Sequence, residues 1–371
     1  MKKLLLEDCC EILDSMRIPI TASERKSGSY PYYGANGIQD YVADYIFDDE
    51  LVLLAEDGGN FGSKTKPIAY RVSGKCWVNN HAHVLKPKKD FNVDYLCYSL
   101  MFYNTDGLVN GATRQKLTQA TMRQMLIPQR TYQEQCDIVA QMNKVNLIIK
   151  TRQNQLQKLD ELVKARFVEM FGDPVTNPMD WPTKPLLEMG YCKNGMNFHT
   201  GDSGIEMHCL GVGDFKDYSV IDGTDYLPTI SLNEAPPEES MLQDGDLVFV
   251  RSNGNKALVG RCLLVYPHNT PTTYSGFCIR YRLTSAEVNI AYLLRVLKTD
   301  SMRKKMAGRG ANIQNLNQQI LAALNIPTPP LELQEWFTAF IEQIDKSKVA
   351  VQKSLDEAQL LFDSLMQQYF G

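Results

Sequence analysis

The feature that most constrains this chain is a long repeat within it. The segment "GATRQKLTQ" at 111–119 corresponds to "GANIQNLNQ" at 310–318, which lies 199 positions further along. The same spacing carries Gln135 to Gln334 and continues without a gap to the last residue. A repeat of this kind indicates two copies of one structural unit, so we expect the chain to fold as a tandem duplication.

The later part of each copy has the periodicity of a long amphipathic helix, with steps that alternate between four and three. In the first copy the seam positions are Ile138, Met142, Val145, Ile149, Arg152, Leu156, Leu159, Val163, Arg166 and Met170. In the second copy they are Phe337, Ile341, Ile344, Lys348, Val351, Leu355, Ala358, Phe362, Leu365 and Tyr369. Such spacing puts one apolar seam along a helix and favours coiled-coil packing.

Each of these helices is predicted to hold about 40 residues and to be roughly 60 Å long, at 1.5 Å per residue. Because the two seams match in length and phase, we expect the helices to pair with each other. The alternative is that each helix packs separately on its own globular block.

A globular block precedes each predicted helix. Both blocks mix short strand-like runs with turn residues, and they share the landmarks "DDELVLLAEDGGN" at 48–60 and "DGDLVFVRSNGN" at 244–255. The first helix is expected to end at Gly172, ahead of Pro174 and Pro178. The pattern predicts an α+β fold in which two tandem globular domains are joined by two long antiparallel coiled-coil helices, as a pseudo-two-fold internal repeat. The predicted boundaries are 1–127 and 173–326 for the globular domains, and 128–172 and 327–371 for the helices.

The glycine-rich segment "AEDGGNFGSKT" at 55–65 looks like a phosphate-binding loop. A Walker loop requires G-x-x-x-x-G-K-[ST] leading directly into a helix, whose N-terminus holds the phosphates. Here Ser63 separates Gly62 from Lys64, and the residues that follow alternate like a strand. The corresponding segment "RSNGNKALVG" at 251–260 also leads into a strand-like run. We therefore interpret both as recognition loops or hairpin turns, and we exclude an ATPase.

Other catalytic motifs have little support. The segment "TNPMDW" at 176–181 only approximates the N-P-P-[YF] loop of methyltransferases, and it lies in the joint between the two copies. Asp14 with 24–26 gives one weak match to a metal nuclease. His81 and His83 alternate, so we expect them to share one strand face, as ordinary polar residues or as DNA contacts. We predict no catalytic residue in this chain.

Charge and cysteine content bear on partners and compartment. The net charge of −4 argues against non-specific coating of DNA or membrane but allows a local basic face. None of the nine cysteines forms a C-x-x-C pair, so we expect a reduced, cytoplasmic chain without structural zinc or another metal. No apolar run is long enough for a membrane span.

Residues suited to DNA contact cluster in both copies. Arginine and lysine bind guanine edges, whereas asparagine and glutamine bind adenine edges. The stretch 295–310 is distinctly basic, which suits contact with phosphates. The candidate DNA-binding residues are Tyr32, Tyr33, Asn36, Asn60, Lys64, Asn80, His81, Arg114, Gln115, Lys116, Arg251, Asn253, Asn255, Lys256, Arg309, Asn312, Gln314 and Asn315.

Over its whole length the chain resembles the specificity subunit of type I restriction-modification systems. The resemblance is carried by "YPYYGANGI" at 30–38, by "GDLVFVRSNGN" at 245–255, by the two G-A-x-x-Q segments with their following Ile-Pro, and by the helix ending in "FGDP" at 171–174. The order of globular block, helix, globular block and helix is more specific than any one of these motifs.

The resemblance implies a DNA-binding subunit that is not itself a catalyst. Each globular domain would be a target recognition domain for a short run of bases in double-stranded DNA, and the helices would be spacers that fix the gap between two half-sites. The implied partners are two DNA adenine methyltransferase subunits and ATP-driven restriction subunits. S-adenosylmethionine, ATP and Mg would belong to those partners, so we expect no cofactor in this chain.

Two other classes of protein remain open at this point. One is a nuclease or methyltransferase with fused recognition domains, for which all 371 residues are already assigned to other roles. The other is a protein-interaction scaffold, which would leave the basic cluster at 295–309 without a purpose.

Overall fold

The computed structural model divides into two compact units, and we describe each by itself. Unit 1 comprises Met1–Gln155 and Val351–Gly371, and unit 2 comprises Leu156–Ala350. The residues that the structure describes are 2–111, 114–199, 201–215, 219–307 and 315–371.

Unit 1 is built on a six-stranded sheet with the order β2-β7-β5-β6-β3-β4, in which only β3 and β6 pair in parallel. Its strands are β1 (Lys3–Leu5), β2 (Cys10–Ile12), β3 (Ser27–Gly34), β4 (Gly37–Val42), β5 (Phe47–Ala55), β6 (Ala69–Val78), β7 (Ala82–Pro87), β8 (Val109–Asn110), β9 (Lys116–Leu117) and β10 (Leu126–Pro128). Its helices are α1 (Leu6–Cys9), α2 (Val93–Met101), α3 (Gln119–Arg123) and the first part of α4 (Tyr132–Phe171).

Unit 2 holds a five-stranded sheet, β12-β19-β16-β17-β14, and a three-stranded sheet, β15-β13-β18. Its strands are β11 (Thr183–Pro185), β12 (Gly190–Asn194), β13 (Ile205–Leu210), β14 (Val220–Asp222), β15 (Thr229–Leu232), β16 (Asp246–Val250), β17 (Cys262–Tyr266), β18 (Thr272–Tyr274), β19 (Cys278–Leu283) and β20 (Asn325–Pro327). Its helices are α5 (Ile290–Lys298), α6 (Asp300–Ala307), α7 (Gln318–Ala322), the last part of α4 and the first part of α8 (Leu331–Phe370).

The two main sheets share a four-stranded centre. The order β2-β7-β5-β6 in unit 1 corresponds to β12-β19-β16-β17 in unit 2, and every pair is antiparallel. The central strands β5 and β16 contain the apolar runs 51–55 and 247–250, which are buried throughout. Continuous apolar runs of this length are typical of strands that are covered on both faces. Outside this centre both units have a two-stranded sheet, β1–β10 or β11–β20. Among the described residues, the β3–β4 hairpin belongs to unit 1 alone and the three-stranded sheet to unit 2 alone.

The seam between the long helices is present in both units. In unit 1, Ile138 and Met142 of α4 are buried in one cluster with Phe362 of α8. The seam is antiparallel here, and Arg152 Nε donates a hydrogen bond of 3.1 Å to Ser354 Oγ across it. The predicted pairing of the helices is confirmed within this unit. The same cluster includes residues of α2, so the helices also pack on the globular block.

Unit 2 repeats this arrangement with the other ends of the helices. Phe167 of α4 lies against Phe337 of α8, with ring centroids 5.6 Å apart, and Val163 and Ile341 belong to the same buried cluster. The cluster also contains Tyr292 of α5. Each helix therefore contributes its two ends to two different hydrophobic cores, which explains why its apolar seam runs over the whole 40 residues.

A duplicated aromatic contact lies at the end of each helix. Phe171 packs on Tyr292 in unit 2, with ring centroids 4.8 Å apart, and Phe370 packs on Tyr95 in unit 1 at 5.3 Å. The two tyrosine hydroxyls donate matching hydrogen bonds to Pro327 O and Pro128 O, at 3.0 and 2.9 Å. Helix α4 ends where the sequence predicts, because residue 172 is a glycine with a φ of +73°, a conformation that L side chains rarely adopt.

A duplicated glutamine fixes the start of each helix to its globular block. Gln135 is fully buried; its Oε1 accepts a hydrogen bond of 2.8 Å from the backbone N–H of Asn92, the N-cap of α2. Gln334 is also fully buried and accepts an identical bond from Asn289, the N-cap of α5. Both amide groups donate further bonds to carbonyls of the preceding loops. The helix and the globular block are thereby held in one geometry.

The cysteine thiols and the hydropathy of the helices complete the description of the fold. All nine cysteines are free, and burial raises the pKa of the Cys9 and Cys10 thiols to about 12. Within the described ranges, no helix is long and apolar enough to span a bilayer.

We predict that Gln135→Leu lowers the free energy of unfolding by about 2 kcal/mol, because the buried amide N–H of Asn92 and two carbonyls lose their partner. Gln334→Leu should have an effect of similar size. The measurement is urea denaturation of the purified chain. The control is Gln133→Leu, an exposed position on the same helix, which should change stability by less than about 0.5 kcal/mol. Equal effects of Gln133→Leu and Gln135→Leu would contradict the role given to the buried amide.

Candidate nucleic-acid interface

The glycine-rich loop of unit 1 connects two strands. It follows β5, which ends at Ala55, and it leads directly into β6, which begins at Ala69. Within it, the backbone N–H of Lys66 donates to Ser63 Oγ at 2.9 Å, which forms a local turn. A Walker loop would have to lead into a helix, so the exclusion of a phosphate-binding loop agrees with this geometry.

Three segments meet beside this loop. The backbone N–H of Leu117 donates to Glu56 O at 2.7 Å, and the N–H of Glu56 donates to His81 O at 2.9 Å. A third bond runs from Gly58 N to Gln115 O at 3.1 Å. We call the surface formed by residues 56–60, 79–81 and 114–117 the unit 1 platform. Backbone bonding fixes its three segments together, so the side chains that they carry have defined positions.

Unit 2 contains the same junction. The backbone N–H of Leu316 donates to Arg251 O at 2.8 Å, and the N–H of Arg251 donates to Phe277 O at 2.8 Å. Ser252 and Asn315 form an antiparallel bridge. We call the surface formed by 251–256, 275–277 and 315–316 the unit 2 platform. In both units the leucine that lies two residues after the G-A-x-x-Q segment is thus joined to the glycine-rich loop by an equivalent bond.

Equivalent positions of the two platforms carry different chemistry. The residue of the glycine-rich loop whose backbone bonds to both of the other segments is Glu56 in unit 1 and Arg251 in unit 2. The backbone carbonyl that accepts its N–H belongs to His81 in unit 1 and to Phe277 in unit 2. Two surfaces with the same backbone arrangement and different side chains would recognise different ligands or different sequences.

The basic side chains of the unit 1 platform are held by carboxylates. Arg114 Nη2 lies 2.6 Å from Asp57 Oδ1, which also lies 2.7 Å from His81 Nδ1. Lys116 Nζ lies 3.0 Å from Glu56 Oε1. Arg114 and Lys116 remain at least half exposed, so they can reach a ligand while the carboxylates orient them.

A buried polar network supports this platform from below. His83 is fully buried, and its Nδ1 lies 2.7 Å from Asp14 Oδ2, while its Nε2 lies 2.9 Å from Leu117 O. Arg17 Nη1 donates to Glu56 Oε2 at 2.6 Å. The network joins the start of the chain to two of the platform segments. Of its members, the sequence pointed only to Asp14 and His83.

Burial raises the pKa of both carboxyls, but hydrogen bonds outweigh it. For Asp14 the opposing bonds come mainly from His83, and the pKa lies below its ordinary value. For Glu56 they come from Arg17 and Lys116, and the pKa is again lowered. Both groups are therefore carboxylates at neutral pH, and the network is stabilised by charge.

The same network answers the question of a metal site. Ligand atoms of Asp14, Glu56 and His83 lie within 4.8 Å of one another, which would suit a divalent cation. However, the guanidinium of Arg17 already lies 2.6 Å from Glu56 and 3.5 Å from Asp14. This positive charge fills the role that a metal would have. The sequence pattern of a metal nuclease is not assembled either, because Glu24 bonds to Thr21 on the surface.

Two predictions on individual residues of unit 1 need correction. Tyr32 is only 1% exposed, its hydroxyl donates to Ile20 O, and Arg25 covers its ring, so it does not belong to a DNA-contacting surface in this structure. The expectation that His81 and His83 share a strand face is also wrong. His83 lies in β7 and is buried, whereas His81 lies in the preceding turn and is partly exposed.

The other candidates of unit 1 lie on or near the platform. Tyr33, Asn36 and Asn60 line one open groove, together with Lys66 and Tyr70. The groove adjoins the platform, because the side-chain amide of Asn36 donates to the backbone carbonyl of a platform glycine at 2.9 Å. The remaining exposed candidates of unit 1 are Lys64, Asn80 and Gln115.

The candidates of unit 2 gather at its platform. Asn253 Oδ1 accepts the backbone N–H of Asn255, and Lys256 is exposed beside them. Asn315 is exposed at the bridge to Ser252. Three further candidates lie outside the described residues: Arg309, Asn312 and Gln314.

The basic stretch at 295–310 is only partly available for phosphate contact. Lys298 packs inside unit 2, where burial lowers its pKa, and its Nζ donates to Ser219 Oγ. Arg303 donates to Ala257 O at 2.9 Å. Lys304 and Lys305 are exposed. The sequence overestimated this stretch because burial withdraws Lys298, and part of Arg303, from the surface.

The structure adds one exposed residue that the sequence did not suggest. Phe277 is 61% exposed at the centre of the unit 2 platform. Its only sequence signal is its place in the turn between two strands, equivalent to that of His81.

The fold and the platforms define a duplicated binding protein whose two globular blocks present different polar surfaces on paired helices. The sequence matches the type I restriction modification DNA specificity domain over residues 1–160 and 234–358. The chain belongs to this family.

Relatives extend over nearly the whole chain. A Haemophilus influenzae protein that bears the name of a type I restriction enzyme specificity subunit is 27% identical over 350 residues, which cover 92% of this chain and 86% of that protein. The StySPI specificity subunit of Salmonella potsdam is 23% identical over 341 residues, covering 86% and 72%.

Solved structures show the same fold. The S subunit of a type I restriction-modification system from M. genitalium aligns with a TM-score of 0.58 at 12% identity, covering 100% of this chain and 96% of that one. A chain from a structural study of complex assembly in a type I system aligns with a TM-score of 0.57 at 16% identity, covering 100% and 97%.

We predict that acid destabilises unit 1 through Asp14 and Glu56. Their pKa values are below the ordinary 3.8 and 4.5 in the folded chain, so the unfolded chain takes up protons first as pH falls. The stabilisation is complete at neutral pH and is lost from about pH 4.5 downward through the folded-state values. Asp14→Asn should lower the free energy of unfolding by roughly 3 kcal/mol at pH 7, and by much less at pH 3.

The measurement is urea denaturation of the wild type and the variant at both pH values. Asp106→Asn, at an exposed position, is the control and should be neutral at both. An Asp14→Asn effect that is independent of pH would show that the lost stability comes from packing rather than from charge.

Proposed function

We propose that this chain is the DNA-specificity subunit of a type I restriction-modification system and that its two platforms bind two half-sites of one double-stranded DNA target. The observation that carries the proposal is the junction of three segments, built twice with equivalent backbone bonds and with different side chains. A protein that binds two unlike half-sites requires such a duplicated backbone arrangement with different side chains. Membership of the family supports the same conclusion.

The unit 1 platform has the chemistry to bind base edges and phosphates. Arg114 presents a guanidinium suited to guanine, while Asp57 holds that group in place and can itself accept a bond from cytosine. Lys116 suits either a guanine or a phosphate. The unit 2 platform offers Arg251, Asn253 and Asn315 in the same roles, with adenine as the natural partner of the amides.

In this proposal the chemistry is done by other subunits. S-adenosylmethionine would be held by methyltransferase subunits, and ATP and Mg by restriction subunits, in the cytoplasm. The long helices offer surfaces for docking. Leu147 and Leu360 in unit 1 are 66% and 69% exposed, and Trp336 and Val349 in unit 2 are 63% and 70% exposed. Partner subunits that dock on the helices would cover these side chains.

We predict that Lys116→Ala and Arg251→Ala each weaken DNA binding by the assembled complex. A lost base contact costs about 1–3 kcal/mol and relaxes one position of one half-site. A lost phosphate contact weakens all sequences alike and reduces the salt slope by about one. Fluorescence anisotropy over a range of salt concentrations, together with mapping of methylated adenines, distinguishes the two.

Lys89→Ala is the matched control, because Lys89 is exposed just beyond the end of β7 that lies away from the platform. It should leave affinity and specificity unchanged. If neither platform variant alters binding by a complex that still recognises its target, the platforms do not face the DNA.

We predict that the paired helices set the gap between the half-sites. Inserting one heptad into both helices, after Gln155 and after Ala350, keeps the 4-3 spacing and lengthens the seam by about 10 Å. That is roughly three base pairs at 3.4 Å each. Methylation mapping should then give the same half-sites with a longer gap. A heptad in only one helix should break the seam and destabilise the chain. Full activity at the original gap in the double insertion would contradict the prediction.

A further inference from the structure

The unit 2 platform exposes one large apolar side chain among polar ones. Phe277 lies in the turn that connects β18 to β19, and its ring is 61% exposed. Around it the platform supplies Arg251, Asn253, Asn255 and Asn315, which are residues that bind base edges. A single exposed apolar residue is ordinary on a protein surface, so its position has to carry the argument.

That position is fixed by backbone bonds. The carbonyl of Phe277 accepts from the N–H of Arg251 at 2.8 Å and from the N–H of Ser252 at 3.3 Å. Its own N–H donates to Ser275 Oγ at 3.3 Å. The main chain is thus tied to the glycine-rich loop while the ring projects outward. Because the backbone is fixed, the ring can occupy only a limited region of the platform surface.

Unit 1 also has a partly exposed side chain at this position. The equivalent acceptor there is His81, which is also partly exposed and is held by Asp57. A solvent-facing side chain at the same point of both platforms, imidazole in one and phenyl in the other, is the pattern of a position that determines specificity. A role in the core is ruled out, because neither ring is buried.

Base edges in the major groove offer one group that a phenyl ring can recognise. Among the donors and acceptors of the four bases, the C5-methyl of thymine is the apolar group. We propose that Phe277 contacts the C5-methyl of a thymine in the half-site bound by unit 2, and so determines specificity at that base pair. This inference rests on the proposed function and adds a contact that the hydrogen-bonding residues do not supply.

The test uses the complex assembled with its methyltransferase subunits and the target found by methylation mapping. The half-site of unit 2 is the one whose recognition depends on Arg251. Each thymine in it is replaced in turn by deoxyuracil, which keeps the O4 acceptor and removes only the methyl group. For the wild type, one replacement should weaken binding about fourfold, the equivalent of one buried methyl group at about 0.8 kcal/mol.

Phe277→Ala should bind the thymine target more weakly and should be indifferent to that one replacement. Phe277→Leu should retain part of the sensitivity, because leucine keeps an apolar contact. His81→Ala is the matched control: it changes the platform of the other unit and should leave the deoxyuracil effect intact. Because Phe277 is exposed, its variants should unfold at the same temperature as the wild type.

Several outcomes would overturn the inference. They are an absence of thymine from this half-site, a deoxyuracil effect that persists in Phe277→Ala, and no deoxyuracil effect in the wild type. A uniform loss of affinity in Phe277→Ala without sensitivity to the methyl group would instead indicate insertion of the ring between base pairs. In each of these cases the wild-type complex still binds a bipartite target. Failure of the proposed function is distinct, because the complex would then recognise no such target.

Discussion

The antiparallel seam between the two long helices is the contact on which the rest of the structure depends. Neither hydrophobic core is complete without residues from both helices. Unit 1 takes Phe362 and Phe370 from the end of α8, and unit 2 takes Phe167 and Phe171 from the end of α4. Since removal of a buried aromatic residue costs about 3–5 kcal/mol, a large part of a domain's net stability resides in these few side chains. The duplication is therefore preserved most strictly in the helices, where each copy has to match the other.

The globular blocks are free to differ because a small part of each does the structural work. Four antiparallel strands, a two-stranded sheet (β1–β10 or β11–β20), one capped helix and a buried glutamine recur in both units. Among the described residues, the β3–β4 hairpin and the three-stranded sheet do not recur. On this frame the platforms replace Glu56 by Arg251 at the same bonded position. The unit 1 platform pairs its cations with carboxylates, so a ligand must compete with Asp57 for Arg114. The equivalent bridge position of unit 2 is Ser252, whose side chain carries no charge.

The sequence predicted the helices well and the platforms poorly, for physical reasons. A 4-3 spacing is a property of one continuous segment, so the 40-residue helices follow directly from it. The platforms depend on strand pairing that joins Glu56 to Leu117, and no local pattern reports such a contact. The burial of Tyr32 could not be predicted for the same reason. Nothing in the sequence distinguishes the two tyrosines at 32–33, but only Tyr32 is enclosed, under the guanidinium of Arg25. Individual candidates were therefore less certain than the clusters to which they belonged.

The composition of unit 1 from two distant parts of the chain has a consequence for synthesis on the ribosome. Residues 1–155 are made before unit 2, but the segment that completes their core, 351–371, is made after it. At 5–20 residues per second the interval is roughly 10–40 s. Throughout that time the apolar face of α4 around Met142 is without the residues that cover it. Unit 2 has no such delay, since its residues are contiguous. Unit 2 can thus fold before unit 1 is complete. Chaperones would be most needed while unit 1 still lacks its last segment.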